Sequence, residues 1–268
     1  MKHKILKING NKIVNASWCL FFNKNCKVKG NNNKIIFEQE DLNFPKGLKI
    51  NIFGDDNYIE IHQTKFLNCY IHIYENNNRF ILNKPVNVIE GALFYIDGSS
   101  KIVIEEDCEL GNGQLHIQAR GFLGKSSKVF IGEGTHIARE AIIRTSDGEC
   151  LIDNNTNKIK EFINDVYIGK HCWITSRCII LKGSILPNNT IVGANSLVNK
   201  KITEESTLIA GSPAKIIKRN VKWKSSSDVI NSQDYKNDKT RMTVESNIIF
   251  LLFFCFFIEL IKSIKNFF

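Results

Sequence analysis

The sequence predicts an all-β chain wound as a parallel β-helix, and three observations predict it. The first is a beat of six: Ile168, Ile174, Ile180, Leu186, Val192 and Val198 fall at every sixth position without a slip. A helix repeats near 3.6 residues and a strand near 2, so neither explains that period. A solenoid built from short six-residue sides does, with the aliphatic residue pointing inward. The second observation is a small residue four positions after each of the first five, namely Cys172, Cys178, Ser184, Thr190 and Ser196. Such residues suit a tight corner. The third is a looser repeat upstream, in which a polar turn cluster precedes a β-prone run.

That looser repeat covers the N-terminal half. Gly30-Asn-Asn-Asn-Lys-Ile-Ile-Phe37, Gly54-Asp-Asp-Asn-Tyr-Ile-Glu-Ile61, Glu75-Asn-Asn-Asn-Arg-Phe-Ile-Leu82, Asp97-Gly-Ser-Ser-Lys-Ile-Val-Ile104 and Gly124-Lys-Ser-Ser-Lys-Val-Phe-Ile131 share one shape. Gly, Asn, Asp and Ser supply turn conformations, and the Ile, Val and Phe run supplies the strand. Residues 1–130 therefore read as irregular coils of one solenoid, the first serving as a cap. The regular β-helix is expected over 131–222. Ile131, Ile137 and Ile143 keep the beat, with Thr135 and Ala141 at the small positions. The step from Ile131 to Ile168 is one residue more than a multiple of six, so the stretch Cys150–Asp165 interrupts the register. Insertions leave a solenoid at its corners and gather on its binding face, which makes this loop the place to seek a site. Ile202, large where a small residue is due, predicts the end of the array, and Pro213 closes it before Lys215–Lys224 folds back. Residues 223–247 are polar and aperiodic, a linker. Residues 248–268 form an apolar C-terminal tail that opens with an uninterrupted apolar run, Ile248–Ile258. That run is shorter than the roughly 20 residues a spanning helix needs. It leaves open an interfacial anchor through 248–262, an oligomerisation tail, or an end without a role.

The stretches Ile143-Arg-Thr-Ser-Asp-Gly148, Val166-Tyr-Ile-Gly-Lys-His-Cys-Trp-Ile174, Ile180-Leu-Lys-Gly183, Ile191-Val-Gly-Ala-Asn-Ser-Leu-Val198 and Ala210-Gly-Ser-Pro-Ala-Lys215 resemble the hexapeptide-repeat acyltransferases. The nearest subgroup is the O-acetyltransferases that modify bacterial capsule, lipopolysaccharide or sialic-acid-containing glycans. The resemblance implies a left-handed parallel β-helix, a homotrimer, acetyl-CoA as co-substrate without a metal, and a surface glycan or its precursor as acceptor. In that family a His after the Ser-Asp-Gly run acts as general base on the acceptor hydroxyl; this chain has Glu149 there. The family's site tryptophan matches Trp173. The resemblance also implies that coenzyme A lies in a groove between subunits. Thr175, Ser176, Ala194 and Asn195 would meet the pantetheine arm, and Lys200, Lys201, Lys215 and Arg219 the phosphates. Arg144, beside the site, would hold an anionic sugar.

A carboxylate has an ordinary pKa near 4.3 and makes a poor base toward a sugar hydroxyl unless burial raises it. Trp173 would supply apolar surroundings for Glu149, and Asp147 would raise it by like charge or orient the loop. His136, expected at a corner, and His171, expected to point outward, are alternative bases. Cys150 would serve as a nucleophile only with a lowered pKa. A catalytically impaired scaffold or glycan-binding protein is the alternative function. A zinc hydrolyase on the same solenoid would need a third ligand near His136 and His171.

Formal net charge is +9, which suits an anionic partner, but no alternation of Arg with aromatics suggests a nucleic-acid platform. The eight cysteines include no C-x-x-C pair. Cys172 and Cys178 sit at inward small positions, a pattern of buried thiols in a reducing compartment. With no signal-peptide pattern at the N-terminus, the expected location is the cytoplasm, with contact to the inner face of the membrane through the apolar tail as an open possibility.

Overall fold

The computed structural model describes residues 5–8, 11–14, 25–38, 45–111, 113–160, 162–225 and 229. A boundary between two units falls after Lys222. The linker and tail expected beyond it lie outside the described residues, apart from 223–225 and 229. The described secondary structure is almost wholly strand, and the strands stack in parallel as a three-sided prism.

The chain visits the three faces in a fixed order. The first face holds β1 (Ile5–Ile8), β2 (Asn11–Val14), β4 (Lys34–Glu38), β6 (Tyr58–His62), β9 (Arg79–Leu82), β12 (Lys101–Ile104), β15 (Lys128–Ile131), β18 (Val166–Ile168) and β21 (Ile185–Leu186). The second carries β7 (Phe66–Leu67) with β10 (Ile89–Glu90). It continues in β13 (Glu109–Leu110), β16 (His136–Ile137), β19 (Trp173–Ile174), β22 (Ile191–Val192), β24 (Leu208–Gly211) and β25 (Ala214–Lys218). The third holds β3 (Cys26–Lys29), β5 (Leu48–Phe53), β8 (Cys69–Tyr74), β11 (Leu93–Asp97), β14 (His116–Arg120), β17 (Ile142–Arg144), β20 (Ile179–Ile180) and β23 (Leu197–Val198).

Alternation along each strand sends one side chain inward and the next outward. Ile168, Ile174, Ile180, Leu186, Val192 and Val198 all point into the prism and are buried. Each contributes roughly 1.5–3 kcal/mol relative to exposure. The small residues four positions on, Cys172, Cys178, Ser184, Thr190 and Ser196, are buried at the corners. Burial pushes the Cys172 thiol up to about 11 and the Cys108 thiol up to about 12, and raises those of Cys69 and Cys178. These cysteines act as small apolar fillers.

The looser N-terminal repeat is the same architecture with longer coils. Its fourth residue in each copy stands at the corner before a first-face strand and builds a polar ladder. The Asn57 amide donates to Asn33 Oδ1 at 3.0 Å, the Asn78 amide to Asn57 Oδ1 at 2.9 Å and the Ser100 amide to Asn78 Oδ1 at 2.9 Å. The Ser127 amide donates to Ser100 Oγ at 3.0 Å, and Ser127 Oγ meets Thr145 Oγ1 at 2.7 Å. All of these side chains are buried, so the ladder satisfies polar groups that would otherwise cost about 1–3 kcal/mol each. Beside it coils approach closely: Gly54, at φ +148°, leaves no room for a Cβ against the Glu75 carbonyl.

Two ends differ from the regular coils. At the N-terminus β1 pairs antiparallel with β2, which then joins β4 in parallel. At the other end the array runs one side further than Ile202 suggested: Ile202 is buried, and β24 still pairs in parallel with β22. The bulk fits because Ile202 does not take the small corner place: Lys201 bridges Ile185 and the Ile202 amide donates to the Ile185 carbonyl at 2.8 Å, which stacks Ile202 on Leu186 as an inward residue of the first face. The fold-back after Pro213 is β25, a strand antiparallel to β24.

Candidate functional site

The interruption of the beat is an antiparallel arm raised from one corner. It leaves after β17 on the third face and returns at β18 on the first, the corner climbed by the polar ladder. Thr145 and Ser146 are buried at its root, and Thr145 Oγ1 accepts from the Arg120 amide at 2.9 Å. Ser146 bridges Ile163, and Ile152 bridges Ile159. At the tip Asp153 Oδ1 accepts from the amides of Asn155 and Thr156, both at 3.0 Å, a local turn that side-chain bonding favours. Phe162 packs edge-on against Phe122 with centroids 5.6 Å apart. Leu151, Ile152 and Ile159 stand more than half exposed along the arm.

Asp147 and Glu149 lie in the outgoing strand of this arm. Asp147 is paired with Lys182 Nζ at 3.2 Å. Its charge is thus compensated, and of the two roles expected for it, orienting the loop is the one the geometry fits. Glu149 is exposed. Trp173 does not enclose it within one chain. The tryptophan projects from β19 on the second face, 40% exposed, while the arm leaves at the corner opposite that face. The reason is phase: the six-residue beat fixes Trp173 as an outward residue of one particular side. Arg144, at the end of β17, donates through Nε to Gln118 Oε1 at 3.0 Å and so flanks the root of the arm.

Beside Trp173 stands a pair of which the sequence singled out only His136. The outward column of the second face runs Glu109, His136, Trp173, Ile191 and Leu208, each in register with the next. Glu109 Oε2 lies 3.2 Å from His136 Nδ1. His136 is therefore on a strand rather than at a corner, held by a carboxylate and laterally adjacent to Trp173. Glu109 was legible only from the longer coil: Leu110 is the inward residue one coil before Ile137, which places Glu109 outward next to His136. His171 lies in a turn at φ +51° with its ring near Asn189 Oδ1 at 3.2 Å, exposed as expected. Cys150 is half-buried. Among the described residues no group of three His, Cys, Asp or Glu is arranged to hold a metal ion.

The eight residues expected at the cofactor fall in three places. Thr175, Ser176, Ala194 and Asn195 stack at the corner between the second and third faces, where the Asn195 amide donates to the Ser176 carbonyl at 3.1 Å. Lys215 joins them, since it pairs with Ala210, next to Gly193 across the sheet. Thr175 Oγ1 is bonded to the Val192 carbonyl at 2.6 Å, so backbone groups at Ala194 are the better fit to an amide-bearing arm. Lys200 and Lys201 lie instead at the approach to the first face, where Lys201 bridges Ile185. Arg219 is clamped by Glu204 at 2.6 and 3.2 Å, a pair that holds the guanidinium above its ordinary range and the carboxylate below. A charge so engaged is a weaker phosphate partner than Lys215.

No family model matches the chain. It is 30% identical over 154 residues to the polysialic acid O-acetyltransferase of Escherichia coli O1:K1 / APEC, a match covering 58% of this chain and 44% of that protein. The chain therefore spans less than half of that relative's length. To the polysialic acid O-acetyltransferase of Neisseria meningitidis it is 29% identical over 197 residues, covering 73% of this chain and 87% of that one. Among solved structures, the polysialic-acid-specific acetyltransferase NeuO superposes with a TM-score of 0.66 at 22% identity, over 81% of this chain and 97% of its own.

Proposed function

We propose that this chain, a relative of the hexapeptide-repeat polysaccharide O-acetyltransferases, transfers an acetyl group from acetyl-CoA to a hydroxyl of a bacterial surface glycan or its precursor. The observation that carries the reading is the placement of the arm: it rises from the β-helix corner within the Arg144–Gly148 run that matches the family motif. The sequence match to the meningococcal polysialic acid O-acetyltransferase over most of its length supports the same activity.

The working unit is a homotrimer in the cytoplasm. Half of the site lies on the second face and half on the opposite corner, so a second copy is needed to bring them together. The exposed apolar residues of the arm supply a surface for it to cover. Acetyl-CoA would supply the acyl group as a thioester. The Thr175–Ser176, Ala194–Asn195 and Lys215 corner would hold it, with Lys215 facing the phosphates. A base then takes the proton of the acceptor hydroxyl, whose oxygen replaces the sulfur at the acetyl carbon, and the thiol leaves protonated. By position Glu149 is that base. Its exposure in one chain favours a second reading, in which His136, oriented by Glu109 beside Trp173, does the work and Glu149 binds the acceptor.

Purified protein given acetyl-CoA and sialic-acid oligomers is expected to release free thiol. Absence of release across sialic, uronic and neutral glycans would sink the transferase reading and leave a non-catalytic glycan-binding solenoid. Glu149→Gln and His136→Ala separate the two bases: the true one should lower kcat about 10²–10⁴-fold, and the other should act mainly on KM.

A further inference from the structure

We infer that the outward side of the third face, from β3 to β17, is an extended binding strip for a linear anionic glycan, leading to the root of the arm. The inference rests on the proposed transferase function for its substrate class and adds where the polymer lies.

The strip is built in register. One column runs Lys27, Asn51, His72, Tyr95, Gln118 and Arg144. Alongside run Lys29, Phe53 and Tyr74 on one flank and Lys49, Tyr70, Leu93 and His116 on the other. The aromatic rings stack between coils: Phe53 on Tyr74 at 5.3 Å, and Tyr74 on Tyr95 at 5.4 Å. Rings stacked this way cover one another's faces and turn their edges to solvent. An aromatic edge is the positive part of its quadrupole. Lys27 and Lys29 sit over Phe53 at 5.4 and 5.8 Å, and Lys49 over Tyr70 at 5.1 Å. Ring edges and ammonium groups thus offer the same sign of potential.

Carboxylates are nearly excluded from this face. Its single outward acid is Asp97, buried and tied to Arg120 at 3.1 Å. By contrast, the N-terminal strands of the second face, β7, β10, β13 and β16, carry two carboxylates and no lysine or arginine. The first face over the same coils is mixed, with Lys34, Arg79, Lys101 and Lys128 alongside Glu38 and Glu60, so what sets the third face apart is basic groups without an exposed acid among its strand residues. Rungs roughly 4.8 Å apart repeat the outward groups at a regular spacing along the strip, and Lys49 and Tyr70 line a shallow depression with Asn25, Gly47 and Asn68. Cross-strand stacking by itself would stabilise the sheet; it does not account for the segregation of charge.

The test uses the full chain and two probes, a long α2,8-linked oligosialic acid and a neutral dextran of similar length. The triple variant Lys27→Glu/Lys29→Glu/Lys49→Glu should bind the oligosialic acid about tenfold more weakly or worse. Wild-type binding should weaken with salt, and dextran should not bind. Equal affinity of the variant, or equal retention of dextran, overturns the strip. A Tyr74→Ala variant gives a second reading free of charge reversal, with the unfolding midpoint measured alongside. Thiol release with a short sialic acid acceptor should persist in the lysine variant. Lysine-dependent binding without any turnover would leave the strip standing and remove the transferase; turnover without lysine-dependent binding would do the reverse.

Discussion

At the scale of single residues, the corner ladder shows how few side chains hold the irregular coils. Asn78 is fully buried; its Nδ2 donates to Asn57 Oδ1 at 3.0 Å and to the Tyr74 carbonyl at 2.8 Å, while its Oδ1 accepts from the Ser100 amide. Asn78→Ala takes the acceptor from the Ser100 amide and the Nδ2 donor from the Tyr74 carbonyl, while Asn57 Oδ1 keeps the backbone amide of residue 78, and an unsatisfied buried group costs about 1–3 kcal/mol. Urea unfolding should show a loss of at least about 2 kcal/mol. A loss near zero would mean that water replaces the amide. The ladder was half legible in the chain. The fourth position of each polar cluster is Asn or Ser throughout, which signals a turn, but a turn residue is ordinarily exposed. Burial arises only because coils stack on it.

At the scale of elements, each strand's inward side was legible and its outward neighbours were not. Alternation told which residues of β8, β11 and β14 face solvent, yet the strip they form depends on register across coils of 21 to 27 residues. The same strip makes a pH prediction. Burial lowers His72 and His116 below the ordinary imidazole value of 6.5, helped at His116 by the Arg144 charge. The unfolded chain therefore binds more protons than the folded one as pH falls below 6.5, and the linkage sign makes the fold less stable there. The stability these rings contribute is fully present above 6.5 and is lost as pH drops through their lowered folded values. Urea midpoints at pH 7 and pH 5 should differ in that direction, with a smaller difference in His72→Gln/His116→Gln. An unchanged difference would assign the acid limb to carboxylates such as Glu60, whose pKa the Tyr58 and His62 side chains lower against burial.

At the scale of the whole molecule, the proposal that two copies share the site makes a prediction. A chain lacking residues 148–161 of the arm and a Trp173→Ala chain should each be inactive alone. Reassembled together at equal amounts, random mixing leaves about a quarter of the sites of a closed ring with an intact arm facing an intact second face. Thiol release should recover to about that fraction. No recovery would mean that one chain supplies both halves.

The chain's own order of residues determined the prism, its inward aliphatic stack, its small corners and the place where the arm breaks out. A period of six needs no long-range information, because each side repeats the same local alternation and turn. Tertiary structure alone decided which outward residues meet: Glu109 with His136 and Trp173 on one face, Glu149 at the opposite corner, five of eight cofactor candidates at a third. That decision depends on coil length, which varies with loops whose length no periodic pattern encodes: corner loops absorb the extra residues, so Ile131 still pairs with Ile168 across the arm, and which outward positions become neighbours cannot be counted along the chain.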